Sequence, residues 1–398
     1  MKRQPPDEAL SAEAFRRHAL EDVLPHWYEH ALDRECGGYI PQLDRQWRVT
    51  DPDRKSLVAT TRLVYNFSQG RLLGGSEWCS EAARHGLDFL LGKFWDTEHD
   101  GWFWEVDRRG EPIEPHKGTY GHAFAILSLS EYARAFGDER ALDMARRTFN
   151  VLEERVYDAE RGGYRERFRR DWTGPDPMRT QNSQMHLVEA LLALGEVSGE
   201  ARYLDRALKL CRLMDRKLFD HAHGCLPEFF HDDWSDFPEH RGDSVQPGHQ
   251  MEWAWLLLRV HGHRPQDWLV ERAEQMMDFG LRHGWDEEFG GFYTDLSRTG
   301  EVTNAAKLFW PQCEGVMAPL WLWRHTGDDE YWAAFELAAR YCFEHFVDRE
   351  YGGWFGELTR ENAPKSTAKG GPWRADYHVV QMCAEVWRFL SGREGGAR

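Results

Sequence analysis

Residues 289–296 read Phe-Gly-Gly-Phe-Tyr-Thr-Asp-Leu, which is a glycine pair, an aromatic residue and a short alternating run. Similar stretches occur five more times. The residue after the last glycine of each stretch stands at position 39, 102, 164, 225, 292 or 354. The separations of 63, 62, 61, 67 and 62 residues are long enough for two helices and a connection. The chain therefore predicts a six-fold repeat of helix pairs.

Two kinds of helix are predicted between short β-hairpins. Each hairpin has a tight turn at the glycines, because glycine tolerates a positive φ. Residues 78–94 and 204–218 carry apolar side chains at the spacing of an amphipathic helix. Residues 121–132, 185–194 and 253–260 are apolar or small on nearly every face, which is typical of a buried helix. We predict an all-α fold, an (α/α)6 barrel of six inner and six outer helices with short β-hairpins between the repeats.

The whole chain, residues 1–398, is predicted to form a single domain. Hydrophobic residues make up 41% of the sequence, enough for a large core, and no linker interrupts it. Residues 1–6 and 393–398 are predicted to be unstructured. Residues 231–247, rich in Asp, Pro and Gly, are predicted to form a loop over one mouth of the barrel.

Composition excludes several classes of protein. The seven cysteines are an odd number without a C-x-x-C pair, which argues against a disulfide framework or a zinc ribbon. The N-terminal residues contain no apolar signal segment, and no apolar run approaches membrane-spanning length. A formal charge of −17 would repel nucleic acids and anionic membranes. We therefore expect a cytoplasmic protein, a monomer or homodimer, with neither kind of partner.

A second periodic set is polar where the core pattern predicts apolar residues. Its members stand near the starts of the predicted inner helices, 60, 64, 63, 65 and 64 residues apart: Arg62, His122, His186, His249, Glu314 and His378. Because a ring places corresponding parts of all six inner helices around one axis, we predict that these side chains converge at one end of the barrel. The spacing thus predicts a pocket.

Further polar and aromatic residues lie within helical reach of this set. They are Tyr65, Tyr120, Asn182, Glu252, Lys307, Trp310, Gln312 and Trp373. Tryptophan rings cover the apolar face of a sugar, and hydrogen-bonding groups fix its hydroxyls. A neutral polyol is therefore the expected guest.

Each of these residues also has a purely structural interpretation. A single histidine on an inner helix is commonly a core residue whose hydrogen bonds are satisfied. Arg62 could form a buried ion pair with Glu252 or Glu314. Trp310 and Trp373 could simply fill the core.

The sequence resembles the N-acylglucosamine 2-epimerase superfamily, which includes cellobiose 2-epimerases, mannose 2-epimerases and the mannose and sulfoquinovose aldose–ketose isomerases. The resemblance covers nearly the whole chain. It rests on six motifs: TRLVY at 61–65, KGTYGH at 117–122, NSQMH at 182–186, PGHQMEW at 247–253, KLFWPQ at 307–312 and GPWRADYH at 371–378. These motifs specify the superfamily and say little about the substrate.

The resemblance implies proton transfer at C2 of an opened sugar without cofactor or metal. By similarity, His378 and His249 are the acid/base pair, Arg62 stabilises the enediolate oxygen, and Glu252 orients His249 or a sugar hydroxyl. Histidine and arginine suit these roles, because histidine titrates near neutrality and arginine keeps its charge. The expected substrate-binding residues are Tyr120, Asn182, His186, Lys307, Trp310, Gln312 and Trp373, with His122 and Glu314 from the periodic set.

An isomerase that interconverts mannose and fructose is the preferred interpretation. Two departures weaken the match to cellobiose 2-epimerases, namely Arg374 in place of the frequent lysine and the absence of proline before Tyr377. The alternative is a sugar 2-epimerase that acts on mannose and glucose, cellobiose or N-acylglucosamine. Nothing in the sequence suggests dependence on a nucleotide.

Three other classes remain open from the residues alone. A glycoside hydrolase needs two carboxylates, which Glu252 could supply with Glu314, Glu228 or Asp233. A metal site could use His186, His249, His378 and Glu252, although no H-E-x-x-H helix is present. The third is a sugar-binding or partner-binding protein without catalysis.

Overall fold

Long helices alternate around a closed ring in the computed structural model, which describes residues 7–392. The two ends predicted to be unstructured lie outside the described residues. Six inner helices surround the barrel axis, and each contacts the next, with the sixth returning to the first. They are Leu57–Leu72, Thr119–Phe136, Gln181–Ser198, Pro247–His263, Phe309–Thr326 and Tyr377–Ser391. The predicted (α/α)6 barrel is confirmed.

Six outer helices cover the inner ring. Each packs on one inner helix, and the first packs on the sixth, so the two ends of the chain close the ring together. The six outer helices are Ala12–Arg17 with His18–Val23 and Leu24–His30, Glu77–Phe89 with Leu90–Phe94, Glu139–Arg155, Ala201–Leu213 with Met214–Leu218, Asp267–Gly284, and Asp329–Tyr341 with Cys342–Phe346. Three of them end in a π-helical turn, at Leu90–Phe94, Met214–Leu218 and Cys342–Phe346.

Local sequence signals set the helix ends. Ser56 and Thr180 precede inner helices, and their side chains accept hydrogen bonds from backbone N–H groups of the first turn. Gly137, Gly199 and Gly327 follow inner helices with positive φ, the backbone conformation that ends a helix. Within the described residues, no helix is both long and apolar enough to cross a membrane.

Short antiparallel strands lie between the helices, as the hairpin prediction requires. They form two three-stranded and three two-stranded sheets. The strands are Arg54–Ser56 with Glu105–Asp107 and Pro112–Glu114, Lys117–Gly118 with Arg167–Phe168, Met178–Thr180 with Phe229–His231, Asp295–Leu296 with Val302–Asn304, and Lys307–Leu308 with Glu357–Leu358 and Pro364–Ser366.

The glycine motif forms a compact loop at the end of each outer helix. In the fifth repeat Trp285 and Phe292 make an antiparallel bridge around Gly290 and Gly291, whose φ values are 72° and 81°. The carboxylate of Asp286 accepts hydrogen bonds from two backbone N–H groups of this loop. An aspartate occupies the same place in every repeat: Asp33, Asp96, Asp158, Asp220, Asp286 and Asp348.

Each glycine loop is held by the hairpin of the neighbouring repeat, a contact that we call the hairpin clasp. In the fifth repeat, Asp286 pairs with Arg360 of the next hairpin (3.1 Å) and with Lys307 (3.3 Å). The equivalent basic partners are Lys55 and Arg108 on Asp33, Lys117 and Arg170 on Asp96, Arg179 on Asp158, Arg298 on Asp220, and Lys369 and Arg45 on Asp348. In the third repeat the neighbouring hairpin instead contributes Asp232, which pairs with Arg179, and Trp234, which donates to the carbonyl of Gly162. Six clasps therefore run around the ring.

Three of the hairpins place a tryptophan in the left-handed region. Trp47, Trp172 and Trp234 have φ of 63°, 64° and 69°, values that are strained for a bulky residue. Their indole N–H groups donate to carbonyls of the neighbouring glycine loops at 2.8–2.9 Å. Because the clasp uses each ring both to cover a glycine loop and to donate a hydrogen bond, it compensates for the backbone strain.

The segment 231–247 is more regular than the predicted loop. It contains the short helix Glu239–Asp243, and Asp232 pairs with Arg161 and Arg179 of the third repeat. The segment leads from the strand Phe229–His231 into the fourth inner helix. It therefore adjoins the end of the barrel at which that helix begins.

Candidate active site

The polar residues gather at the N-terminal ends of the inner helices. Arg62, His186, Glu252 and Glu314 are each the sixth residue of their helix, so the ring brings them to one level. His249 and His378 are the third and second residues of theirs. His122 is the fourth residue of its helix and contacts the backbone of Trp102.

Two histidines are each held by a buried carboxylate. Nδ1 of His249 lies 2.8 Å from Oε2 of Glu228, and Nδ1 of His378 lies 2.7 Å from Oε1 of Glu314. The amide of Gln181 also donates to Glu228 (2.8 Å). With Nδ1 engaged, each ring has its Nε2 edge available for a substrate.

The indole of Trp310 lies between these two histidines. Its ring centroid is 4.7 Å from that of His249 and 5.6 Å from that of His378. A sugar placed against this indole would lie close to both histidines. Either imidazole could then exchange a proton with a sugar carbon.

Arg62 crosses the pocket without an ion pair. Its guanidinium donates to the hydroxyl of Tyr120 (2.8 Å) and to the carbonyl of Trp373, and it packs 4.4 Å from the ring centroid of Phe124. Its buried Nε has no partner among the described residues. No carboxylate in the described part of the chain pairs with it, so the predicted ion pair with Glu252 or Glu314 is not formed. The cation is instead available to a ligand.

Glu252 is fully buried at the centre of the pocket. Neither of its carboxylate oxygens has a hydrogen-bond partner among residues 7–392, and its nearest basic neighbour is Nδ1 of His186 at 3.7 Å. Burial and the nearby carboxylates of Glu314 and Glu189 raise the pKa of Glu252 well above its usual range. This shift favours the protonated form of Glu252, which can donate a hydrogen bond to a sugar oxygen.

His186 belongs to a second hydrogen-bonded group. Its Nδ1 lies 3.1 Å from Oε2 of Glu189, whose other oxygen accepts hydrogen bonds from Tyr377 and Gln381. The ring of Tyr120 meets His186 edge to face at 5.1 Å. This group fixes His186 beside Glu252.

Burial shifts the pKa values of three pocket groups toward their neutral forms. It lowers the pKa of His378 well below its ordinary value, and the positive charge of Arg62 adds to the effect. Burial likewise lowers the pKa of His186 and raises that of Tyr120. For His186 and His378 this favours the neutral imidazole, the state in which a histidine can accept a proton.

The segment before His378 is anchored on the first inner helix. Ser56 and Asn66 donate to the carbonyls of Pro372 and Ala375, and Arg62 donates to that of Trp373. Asp376, the residue at the helix start, has a φ of 49°, strained for a non-glycine residue. The first and last repeats thus set the position of His378 jointly.

An aromatic wall borders the open side of the pocket. Trp373 is 49% exposed and lies 5.4 Å from the ring of Tyr120 and 5.2 Å from that of Trp104. Asn182 stands one helical turn before His186, and its buried amide oxygen has no partner among the described residues. An exposed ring beside unsatisfied polar atoms suits a sugar.

Three predicted substrate-binding residues lie away from this cluster, in the loops that support it. Nε2 of His122 accepts from the backbone N–H of Trp102 (3.0 Å), and burial lowers the pKa of His122 to about 3. Gln312 likewise accepts a hydrogen bond from the backbone N–H of Phe292 (2.7 Å), and its amide nitrogen donates to the carbonyl of Phe292 (2.9 Å). Lys307 is engaged in the hairpin clasp of Asp286. We leave these three out of the proposed pocket.

The pocket offers two sets of metal-ligating atoms that share Glu252. One set is His186, Glu189 and Glu252, the other Glu252, Glu314 and His378, and in each set the ligand atoms lie within 4.8 Å of one another. His249 belongs to neither, so the quartet of the sequence alternative is not assembled. Both sets consist of groups already placed in the pocket.

Several pocket residues were not predicted in the roles that the structure gives them. Glu189 stands three residues after His186, and that helical spacing was a usable signal. Gln181 directly precedes the motif at 182–186, and Tyr377 lies within the motif at 371–378. Glu228 was predicted only as a possible hydrolase carboxylate, and only the folded structure shows that it meets His249.

The raised pKa of Glu252 predicts a pH-dependent change in stability. In the unfolded chain the carboxyl ionises above its ordinary pKa, whereas the folded protein keeps the proton, so stability falls as pH rises between these two pKa values. Glu252→Gln removes this loss. We expect the variant to gain stability over the wild type between about pH 5 and about pH 8, by more than the ~0.5 kcal/mol typical of surface substitutions. Urea unfolding at both pH values measures it.

Glu196→Gln is the matched control, because its carboxyl shifts the other way. Although burial opposes it, the guanidinium of Arg259 and the ring of His263 hold the pKa of Glu196 well below its usual range. This variant should lose stability at both pH values. An equal difference between Glu252→Gln and the wild type at the two pH values would contradict a neutral Glu252.

Known proteins of similar fold and sequence place the chain among isomerases and 2-epimerases of carbohydrates. More narrowly, the chain belongs to the N-acylglucosamine 2-epimerase family, whose sequence profile, described as N-acylglucosamine 2-epimerase (GlcNAc 2-epimerase), matches residues 38–382. This confirms the resemblance seen in the motifs.

Relatives of both kinds align over the whole length. The D-mannose isomerase of Marinomonas mediterranea is 28% identical over 393 residues, covering 96% of this chain and 99% of that protein. The cellobiose 2-epimerase of Bacteroides fragilis is 30% identical over 399 residues, with the same coverage. A crystal structure of D-mannose isomerase superposes with a TM-score of 0.89 at 28% identity, covering 96% of this chain and 99% of that one.

The same barrel occurs in glycoside hydrolases. The α-mannanase BT2949 of Bacteroides thetaiotaomicron, from glycoside hydrolase family 76, superposes with a TM-score of 0.68 at 11% identity over 96% of both chains. At this identity the similarity shows the fold alone.

Proposed function

We propose that the protein interconverts an aldose and its ketose, mannose and fructose, by histidine acid/base catalysis through an enediolate. The observation that carries the proposal is the pair of histidines that are each held by a buried glutamate and both contact Trp310, with Arg62 in the same pocket. D-mannose isomerases among the relatives support the choice of substrate.

The proposed reaction moves one carbon-bound proton. In the open-chain sugar a histidine Nε2 removes the proton from C2, and the electron pair forms a C1–C2 double bond while the C1 carbonyl oxygen becomes negative. Arg62, which needs no change of its own protonation, stabilises this oxygen. The proton of the C2 hydroxyl moves to O1, and a histidine returns a proton to C1, which leaves a carbonyl at C2.

The pKa shifts of His378 and Glu252 toward their neutral forms support these reaction steps. A neutral imidazole can accept the C2 proton, and its Nδ1 would stay hydrogen-bonded to a buried glutamate, Glu228 for His249 or Glu314 for His378. Burial raises the pKa of Glu314 well above its usual range, as it does for Glu252. Glu252 in its protonated form would donate to a sugar oxygen.

Neutral hexoses should be preferred over their 6-phosphates. The pocket contains only one cationic side chain among its described members, Arg62, and the chain carries a formal charge of −17 that disfavours anionic substrates. The exposed face of Trp373 suits the apolar face of an uncharged sugar. The cytoplasmic location and the monomeric or homodimeric state are retained as proposals from the sequence.

Product analysis tests the proposal. Mannose incubated with the enzyme in D₂O and EDTA, without nucleotide, should yield fructose with deuterium at C1, followed by NMR. The variant His378→Ala in parallel shows that the signal comes from this pocket. Mannose recovered unchanged, without deuterium, would contradict the proposal.

A 2-epimerase is the second candidate, favoured by the cellobiose 2-epimerase relatives. It shares the enediolate and differs in returning the proton to the opposite face of C2. Glucose as the initial product, with deuterium at C2, would identify it. N-acetylmannosamine formed from N-acetylglucosamine would overturn the choice of substrate.

Hydrolysis of a glycosidic bond fits the pocket less well. Glu228 and Glu314 are engaged by histidines, and Asp233 is an exposed residue whose carboxylate accepts hydrogen bonds from Ser235. Only Glu252 would be left to act, whereas a hydrolase needs two carboxyl groups.

A further inference from the structure

A second cavity opens at the opposite end of the barrel, where the inner helices end. It has a volume of about 990 Å³, which is larger than a single hexose needs. Its lining comes mainly from the C-terminal halves of the inner helices and includes Arg134, Glu196, Arg259, Trp321 and Arg388, and it reaches Gln381 in the second turn of the sixth inner helix. None of the residues that hold His249 lines it. We call it the rear cavity.

Paired charges line the rear cavity without a net excess. Its arginines are Arg134, Arg259, Arg324 and Arg388, and its acidic residues are Glu131, Glu189, Glu196 and Glu385. Glu196 accepts hydrogen bonds from Arg134, Arg259 and His263 at 2.9, 2.7 and 3.0 Å. A lining with equal numbers of arginines and carboxylates favours neither a strong anion nor a strong cation. It presents donors and acceptors side by side, and a hydroxyl uses both.

Aromatic rings and an unsatisfied amide complete the lining. Trp321 and Trp387 are only partly buried and expose part of their surface on this side. Gln381 is 3% exposed, and its buried amide oxygen has no hydrogen-bond partner within residues 7–392. Partly open indole rings beside paired donors and acceptors are the combination that binds sugars.

From this chemistry we propose that the rear cavity is a second binding site, for a neutral sugar or sugar alcohol. It is separate from the histidine pocket and does no chemistry of its own. Two residues link the sites: Glu189 lines the rear cavity and contacts His186 on its other side, and Gln381 lines the cavity and donates to Glu189. Between a sugar in the rear cavity and His186 there would therefore be only the side chain of Glu189.

Gly262 offers a way to block the rear cavity. It lines the cavity in the last turn of the fourth inner helix, and a Cβ added there would meet nothing within 4 Å. Gly262→Trp should therefore insert an indole without disturbing the backbone. Gly262→Ala is the matched control, because it makes the same backbone change and leaves the cavity open.

The probe is methyl α-D-mannopyranoside, a sugar locked in its ring form that the histidine pocket cannot isomerise. The protein is labelled with ¹⁵N at tryptophan, and the indole N–H signals are followed by NMR during titration. Trp321 and Trp387 report on the rear cavity, whereas Trp310 and Trp373 report on the histidine pocket in the same spectrum. The Trp321 signal is assigned with Trp321→Phe.

We expect the Trp321 signal to shift saturably at millimolar sugar in the wild type and in Gly262→Ala. In Gly262→Trp the shift should be lost, while any shift of Trp310 remains. A Trp321 signal that does not move, or that moves equally in Gly262→Trp, would overturn the proposal. Either result leaves the proposed isomerase function untouched, because that function is judged by the products from mannose.

Discussion

His378→Ala should lower kcat by about 10² to 10⁴-fold, the usual range for loss of a positioned acid or base. The residue lies beside Trp310 with its Nδ1 held by Glu314, so its Nε2 is the group that meets the substrate. His249→Ala should cause a loss of the same size, because Glu228 holds that ring in the same way. Turnover of mannose under saturation measures both.

The control for these variants is His122→Gln. His122 braces the backbone of Trp102, and a glutamine does the same at Gln184 and Gln312 in other repeats. This substitution should therefore leave turnover within a few-fold of the wild type. Circular dichroism should show the same helix content in all three variants. Near-normal turnover in His378→Ala or His249→Ala would remove that residue from the mechanism.

Arg62→Ala should lower kcat by about 10² to 10³-fold, the loss seen when one oxyanion-stabilising donor is removed. Arg62→Lys keeps the charge but loses the planar fork that reaches both Tyr120 and the carbonyl of Trp373, so we expect a smaller loss, mainly in kcat. Steady-state kinetics on mannose measure both variants.

Unfolding experiments separate this role from a structural one. Arg62 also anchors the segment before His378, so some loss of stability is expected in Arg62→Ala. If Arg62→Lys and Arg62→Ala were destabilised equally, and both lost activity in proportion, the arginine would be a structural group and not a catalytic one.

The fold was predictable because its signal repeats. Glycines with positive φ recur once per helix pair, and the burial of an inner helix differs from that of an outer helix along its whole length. The segment 231–247 was harder, since its helix Glu239–Asp243 is only one turn long and is contacted by Arg298 of the fifth repeat.

The pocket was predictable in part. Arg62, His186, His249, Glu314 and His378 stand out as polar residues on apolar helices, and the ring brings them together. Lys307 and Gln312 were predicted as pocket residues because they stand close to Trp310 in the sequence. Lysines at the equivalent positions 55, 117 and 369 already indicated that Lys307 has a structural role in the repeat. Glu228 lies in a loop and His249 on a helix, and the spacing of residues along the sequence does not show that the fold brings these two side chains together.

The closing of the ring also bears on how the protein is made. Arg45 and Trp47, translated early, clasp Asp348 and Tyr351, translated late, and the first outer helix packs on the sixth inner helix. Arg62 and His378 are separated along the chain in the same way. A ribosome must therefore deliver nearly the whole polypeptide before any of the proposed chemistry can begin. Until then the apolar inner helices lack neighbours on one side, and a nascent chain should depend on chaperones at that stage.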